Sequence, residues 1–176
     1  MPTPPSVRLA LPAEAVAVTT VQRAAWAADD LESRFLDEID EAAMREAWEQ
    51  AILRPPLAHY RVLVAIEDAT VVGFAAIGPS ADPDADARDA EVAEFVIHPD
   101  ARGRGNTSRL EHAVIDTLRA DGFLRVRWWL RSTDDELRAF LAESGWAPDG
   151  ATREVGNDSG TLRLKQVRLH TSLASD

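Results

Sequence analysis

Apolar and polar residues recur along this chain with two periods, and the switches between them divide it into elements. Val7 to Leu11 has room for a short strand. Pro12-Ala13-Glu14 then opens a helix, since proline in a first turn gives up an N–H that lacks an intrahelical acceptor anyway. That helix runs to about Ala28. Beyond the acidic stretch from Asp29 to Asp40, broken by Phe35-Leu36, the spacing predicts a second helix from about Glu41 to Leu53. Met44, Ala47, Trp48 and Ile52 recur there at threes and fours, and Pro55-Pro56 stops it. Tyr60 to Glu67 and Thr70 to Ile77 are apolar runs joined by Asp68-Ala69, the pattern of a hairpin. Gly73, in the middle of the second run, marks a bulge or the close approach of another backbone.

Pro79 to Ala90 is Asp, Ala and Pro without periodicity, which predicts an exposed, mobile loop. Glu91 to Ile97 reads as a fourth strand. After it comes His-Pro-Asp-Ala-Arg-Gly-Arg-Gly-Asn-Thr-Ser-Arg-Leu (His98 to Leu110), then a helix whose Leu110, Ala113, Val114, Thr117 and Leu118 share one face and which stops at Asp121-Gly122. From Phe123 to Arg131 alternation sets Val126, Trp128 and Leu130 against Arg125, Arg127, Trp129 and Arg131. The arginine set either reaches a cofactor phosphate or adenine, or is plain surface. Thr133 to Ser144 is a helix with Thr133 as cap, Leu137, Phe140 and Leu141 as its apolar stripe and Gly145 as its end. Thr152 to Glu154 and Thr161 to Leu169, joined by Gly156 to Gly160, make a closing hairpin.

A length of 176 residues suits one domain with a sizeable core. The absence of cysteine removes disulfides, thiolate metal sites and a cysteine nucleophile. Residues 1–6 read as a flexible lead without the features of a signal peptide, and no run is long and apolar enough for a bilayer, so a cytoplasmic protein is expected. The net charge of -11 argues against a nucleic-acid or membrane surface and would steer cationic molecules inward, unless it serves only solubility.

The chemistry concentrates at the strand-to-helix junction. Arg102-Gly103-Arg104-Gly105 leaves backbone N–H groups free at a helix start, where the dipole favours an anion. A P-loop would need Gly-Lys-Ser/Thr and a Rossmann turn would need G-x-G-x-x-G with a later acidic residue; neither is present. The residues resemble the pyrophosphate loop of the GNAT family of N-acetyltransferases, R/Q-x-x-G-x-G/A after a strand ending in Val/Ile-x-Pro. Ile97-His98-Pro99, Arg102, Gly103, Arg104 and Gly105 match it, Ser108 and Leu110 match its continuation, and Thr107 departs from a Gly/Ala. Val71-Val72-Gly73-Phe74 and the pair Gly145-Trp146 match further family patterns, with Asp134 in place of an Asn.

That resemblance implies an α/β (α+β) fold over residues 7–170, followed by a tail at 171–176. Its centre would be a mixed, mostly antiparallel twisted sheet of six to seven strands, flanked by about four helices and splayed between the fourth and fifth strands. It implies acetyl-CoA as cosubstrate and no metal. Phe95, Val96 and Ile97 would pair with pantetheine, Arg102, Gly103, Arg104, Gly105, Asn106, Thr107 and Ser108 would hold the pyrophosphate, and Asp134 would also face the cofactor. Trp26, Phe35 and Trp48 become cleft walls for the acceptor, or else core aromatics. The acceptor would be an amine on a small molecule or a peptide; a homodimer is left open.

Transfer to an amine needs a base, because aliphatic amines are protonated at neutral pH. Glu91 and Glu94 are the only acids on the fourth strand; the resemblance implies Glu91 as the base and Glu94 at most an auxiliary, or else Glu91 is a strand-end glutamate in solvent. Leu141 stands where the family has a tyrosine beside the cofactor sulfur, so water or Ser144 would replace that acid. A non-catalytic acyl-CoA binder is the competing expectation.

Overall fold

The computed structural model describes residues 1–175. A seven-stranded sheet runs in the order β1-β2-β3-β4-β5-β7-β6. Its strands are β1 (Ser6–Leu9), β2 (Arg61–Glu67), β3 (Thr70–Pro79), β4 (Asp89–Ile97), β5 (Arg125–Arg131), β6 (Ala147–Gly156) and β7 (Arg163–Ser172). Every neighbouring pair is antiparallel except β4 and β5, which run parallel. The helices are α1 (Ala15–Ala27), a single turn α2 (Ser33–Leu36), α3 (Glu41–Leu53), α4 (Asn106–Ala120) and α5 (Asp135–Glu143), with 3-10 turns at Pro12–Glu14 and Pro99–Ala101.

The sheet buries both faces, which is why β2 and β3 are nearly continuous apolar runs instead of alternating ones. On one face Ala75, Ile77, Val92, Ile97, Val126, Trp128 and Leu130 pack beneath Leu110, Val114 and Leu118 of α4 and Leu141 of α5. On the other Val64, Ile66 and Phe74 pack against Val18 and Val21 of α1, with Trp48 of α3 alongside. Asp68 and Ala69, at φ 48° and 62°, close the β2–β3 hairpin as a two-residue turn. At Gly73 a Cβ would lie 2.6 Å from Ile97 Cδ1 and 2.9 Å from the Val96 carbonyl oxygen, so the strand crossing requires glycine.

Several boundaries differ from the expected ones. The cap of α5 is Asp134, whose carboxylate accepts from Leu137 N at 3.1 Å, and not Thr133. β6 begins at Ala147, five residues earlier than its pattern suggested. Its register with β7 breaks between Pro148 and Thr152, and that irregularity hides the alternation. β7 continues to Ser172, and Leu173 is buried beyond it with its N–H on the Leu124 carbonyl at 2.8 Å.

The largest correction concerns the loop from Pro79 to Ala90, which is fastened instead of mobile. Arg127 and Arg168 sit on adjacent strands with side chains only 4% and 9% exposed. Arg127 reaches Asp84 at 2.8 Å and Asp89 at 3.4 Å. Arg168 reaches Asp82 at 2.9 Å, Asp84 at 2.8 Å and Asp149 at 2.6 Å. Arg125 adds a two-point contact with Asp89 at 2.8 and 2.6 Å. These arginines are therefore neither plain surface nor available to a phosphate: the Asp-rich loop neutralises them.

Candidate active site

The pairing of β4 with β5 ends at Val92 opposite Trp128, and from Ala93 onward β4 has no strand on that edge among the described residues. The gap is the splay expected between the fourth and fifth strands, and the edge of Phe95, Val96 and Ile97 faces it. Ala93 itself is an extra residue: Val92 pairs with Ile77 and Glu94 with Ala76, so one residue of β4 has no partner on β3. The bulge shifts the phase of alternation. Glu91 opposite Gly78, Glu94 opposite Ala76 and Val96 opposite Phe74 thus share the face covered by α1.

Register carries that face across the sheet. Glu91 pairs with Arg127 on β5, Trp129 and Arg131 follow at intervals of two, Arg168 and Gln166 oppose them on β7, and Arg153 on β6 opposes Gln166. Loops complete the enclosure. Asp29, after α1, takes a two-point contact from Arg131 at 2.9 and 2.8 Å and accepts from the N–H groups of Leu31 and Glu32, both at 2.9 Å. The Arg131 contact holds the Asp29 carboxyl down at about 2. This tie brings Trp26 and Phe35 together, ring centroids 6.1 Å apart, and leaves Glu32 half-buried beside them. Trp48 is elsewhere. Its ring packs on Phe74 at 5.0 Å and its N–H donates to Gln22 Oε1 at 2.7 Å, which makes it a core aromatic beneath α1 and α3.

The two β4 carboxylates differ. Glu91 accepts from Ala81 N at 3.2 Å; burial pushes its carboxyl up, and that hydrogen bond opposes the shift. Glu94 has no hydrogen-bond partner among the described residues. Enclosure by protein, then repulsion from Glu32, pushes it up to about 7. Glu32 is raised in turn, by its own desolvation and then by Asp29. Tyr60, the only tyrosine, lies over Gly78, where a Cβ would stand 3.3 Å from its ring. Burial, then Glu94 and Glu91, keep its phenol protonated to higher pH than usual.

At the far end of the splay Gly103 and Gly105 adopt φ 74° and 81°, conformations that cost a side chain. None of the N–H groups of residues 103–108 has an acceptor among the described residues. With the start of α4 they form an anion cradle. Its shape is held by Asn106, buried, which donates to Ala101 O at 3.1 Å and Glu67 Oε2 at 2.9 Å, and by Arg109, which bonds the Arg104 carbonyl at 2.9 Å. Arg104 is itself engaged by Glu67 at 3.0 Å, whereas Arg102 makes no ion pair among the described residues. Thr107 and Ser108 are half-buried in the first turn of α4, and Asp134 is occupied as a helix cap.

Leu141 has no exposed surface and belongs to the core between α4, α5 and the sheet. The Ser144 hydroxyl donates to Phe140 O at 3.0 Å on the outside of α5, so it too is spent locally. Glu32, Tyr60 and the Asp29–Arg131 tie were not picked out by sequence reasoning as parts of this site, whereas strand alternation had already set Trp129 and Arg131 off the core face as candidate cofactor contacts. Among the described residues no cluster of three or more His, Asp or Glu is placed to hold a metal, and no helix is long and apolar enough to cross a membrane.

Comparison with known proteins agrees with this layout. Residues 25–146 match the profile described as "Acetyltransferase (GNAT) family". The mycothiol acetyltransferase of Nocardiopsis dassonvillei is 35% identical over 101 residues, 57% of this chain and 27% of that protein. That of Brachybacterium faecium is 29% identical over 132 residues, 74% of this chain and 39% of that protein, so the chain spans well under half the length of both relatives. Among solved structures, an N-acetyltransferase of Staphylococcus aureus Mu50 superposes with a TM-score of 0.78 at 18% identity, covering 98% of this chain and 100% of that one. The yncA protein of Salmonella typhimurium, solved with its cofactor acetyl-CoA, superposes at 0.74 and 21% identity, covering 99% and 96%.

Proposed function

The chain belongs to the GNAT family of acetyltransferases, and on that premise we propose that it moves an acetyl group from acetyl-CoA to a primary amine by direct attack within a ternary complex. Bound acetyl-CoA would supply the activated acetyl group as a thioester. The free N–H groups of 103–108 and Arg102 are suited to its pyrophosphate, and the unpaired edge of Phe95 to Ile97 to its pantetheine arm.

The observation that carries the proposal is the half-buried Glu94 carboxyl at the point where β4 leaves β5, without a hydrogen-bond partner among the described residues and pushed up to about 7 by desolvation and by Glu32. An acid in that range is partly ionised at neutral pH. It can take the proton that an alkylammonium must lose, directly or through a water, whereas an ordinary carboxylate is too weak a base. Glu94 is therefore the base in this proposal, and Glu91, committed to Ala81, sets the wall beside it. Trp26 and Phe35 supply the apolar side of the acceptor cleft and Glu32 a second negative charge.

A second reading, a non-catalytic acyl-CoA-binding module, is favoured by one feature: Leu141 and Ser144 leave α5 without a proton donor for a departing thiolate. A coupled-thiol assay over a panel of primary amines separates the two. Turnover that disappears in Glu94→Gln supports the transferase; acetyl-CoA binding without turnover on any amine supports the binder.

A further inference from the structure

The α1-side face of the sheet presents four arginines to the cleft region, and three of them are neutralised. Arg127 and Arg168 are bound by the aspartates of the β3–β4 loop and Asp149, and Arg131 by Asp29. Arg153 is the exception: it makes no ion pair among the described residues, in a chain of net charge -11. Its guanidinium is nevertheless held in place. Nε donates to Gln166 Oε1 at 2.7 Å, and the planar group lies over the Trp129 ring at 4.3 Å from the centroid. The two outer nitrogens have no hydrogen-bond acceptor among the described residues, which leaves a preorganised fork with the Asp82 and Glu91 carboxylates near it but not bonded to it.

The fork stands at the splay. Trp129 is the first residue of β5 past the last β4–β5 pair, its N–H donates to Asp82 Oδ1 at 2.9 Å, and the adjacent Ala81 N–H holds Glu91. Arg153 over Trp129 is thus close enough to feel the Glu91 carboxylate, and Glu94 follows Glu91 on the same face of β4. Desolvation lowers the Arg153 pKa, opposed by the nearby Asp82 and Glu91 carboxylates.

From this juxtaposition we infer that the acceptor is a zwitterion, a primary amine bearing a carboxylate, whose ammonium end goes to Glu94 and whose carboxylate is gripped by the Arg153 fork. The inference rests on the proposed transferase reading and narrows its acceptor class. A lysine side chain in a protein, or a plain diamine, leaves Arg153 without a partner.

The test uses matched amines: glycine, β-alanine, γ-aminobutyrate and ε-aminocaproate against ethylamine, n-butylamine and putrescine. At least one aminocarboxylate should exceed its alkylamine counterpart in kcat/KM by roughly ten- to a hundredfold, the value of a two-point charge-assisted contact. Arg153→Gln should collapse that ratio mainly through KM, and Arg153→Lys should restore it in part. The same ligands are read without turnover, as an added rise in Tm over that given by CoA alone, in wild type and Arg153→Gln. Preference for putrescine or butylamine with active enzyme overturns the zwitterion while leaving the transferase in place. Aminocarboxylate preference or binding that survives Arg153→Gln overturns the role of the fork. If no amine turns over, the acceptor inference falls with the transferase, and an Arg153-dependent Tm rise then shows only that the fork binds aminocarboxylates; no rise from any aminocarboxylate overturns the fork as well.

Discussion

Glu91 and Glu94 are three residues apart on β4 and nevertheless project from the same face of the sheet, because Ala93 between them is the unpaired residue of a bulge. In a regular strand an odd separation would send one of them into the core beneath α4. The bulge places both on the α1 side, where Glu94 lies free and Glu91 is tied to Ala81.

Glu94→Gln should lower turnover by about a hundredfold or more and remove the pH limb near 7, with acetyl-CoA affinity nearly unchanged. Its effect on stability has the opposite sign. A carboxyl raised in the folded state stabilises fully below its unfolded value near 4.5, and that contribution is lost as pH rises through about 7. Urea unfolding at pH 8 should therefore find Glu94→Gln more stable than wild type, by up to about 3 kcal/mol, with the difference vanishing near pH 4. Equal stability at both pH values would mean that the carboxyl is not raised.

Arg127→Met removes one partner from a buried ionic cluster and strands Asp89 without one of its cations. A loss of about 3 to 5 kcal/mol is expected. Faster amide exchange across residues 80–90 should accompany it, since that loop is held by these arginines.

Asp29→Asn keeps the shape of the loop after α1 and drops the charge that fastens it to Arg131. With Trp26, Phe35 and Glu32 loosened, KM for the acceptor should rise while acetyl-CoA binding stays as it was. The wild-type pair contributes stability above the unfolded carboxyl value near 3.8 and loses it as pH falls through about 2, so the variant and wild type should converge in strong acid.

Gly105→Val puts a β-branched residue at φ 81° with its Cβ 2.9 Å from Arg109 Nη1. Both the strain and the displaced arginine deform the cradle. Wild type should gain about 2.7 kcal/mol at a hundredfold excess of acetyl-CoA over its Kd, and the variant should show no rise in Tm.

Leu141→Tyr inserts a larger ring into a site without exposed surface. It should cost about 1 to 3 kcal/mol, and turnover should not increase, because the hydroxyl would have to leave the core to reach the cleft. A faster enzyme would show instead that α5 can turn this position toward the sulfur.

Most elements, and the positive-φ glycines of the Arg-Gly-Arg-Gly turn, were legible in the sequence because both are local. Helical spacing located α3 at Glu41–Leu53, and the glycines of Arg-Gly-Arg-Gly between strand and helix permit the positive φ values found there. It also named Glu91 and Glu94 as the candidate acids of β4, while leaving the strand's first residue, Asp89, in the loop before it. What tertiary structure decided was everything that depends on which strands lie side by side. The bulge at Ala93 exists only against β3, and it determines that Glu94 is free while Glu91 is held. Arg127 read as either a cofactor contact or plain surface until β5 and β7 became neighbours and Arg127 and Arg168 were bound by an Asp-rich loop that reads as exposed and mobile on its own. Glu32 and Tyr60 come from distant segments, and only the folded chain brings both beside the Glu94 carboxyl. Long-range pairing carries no periodic mark in a single chain, so charge complementarity between a loop and strands some 40 to 85 residues away is invisible until the sheet is assembled.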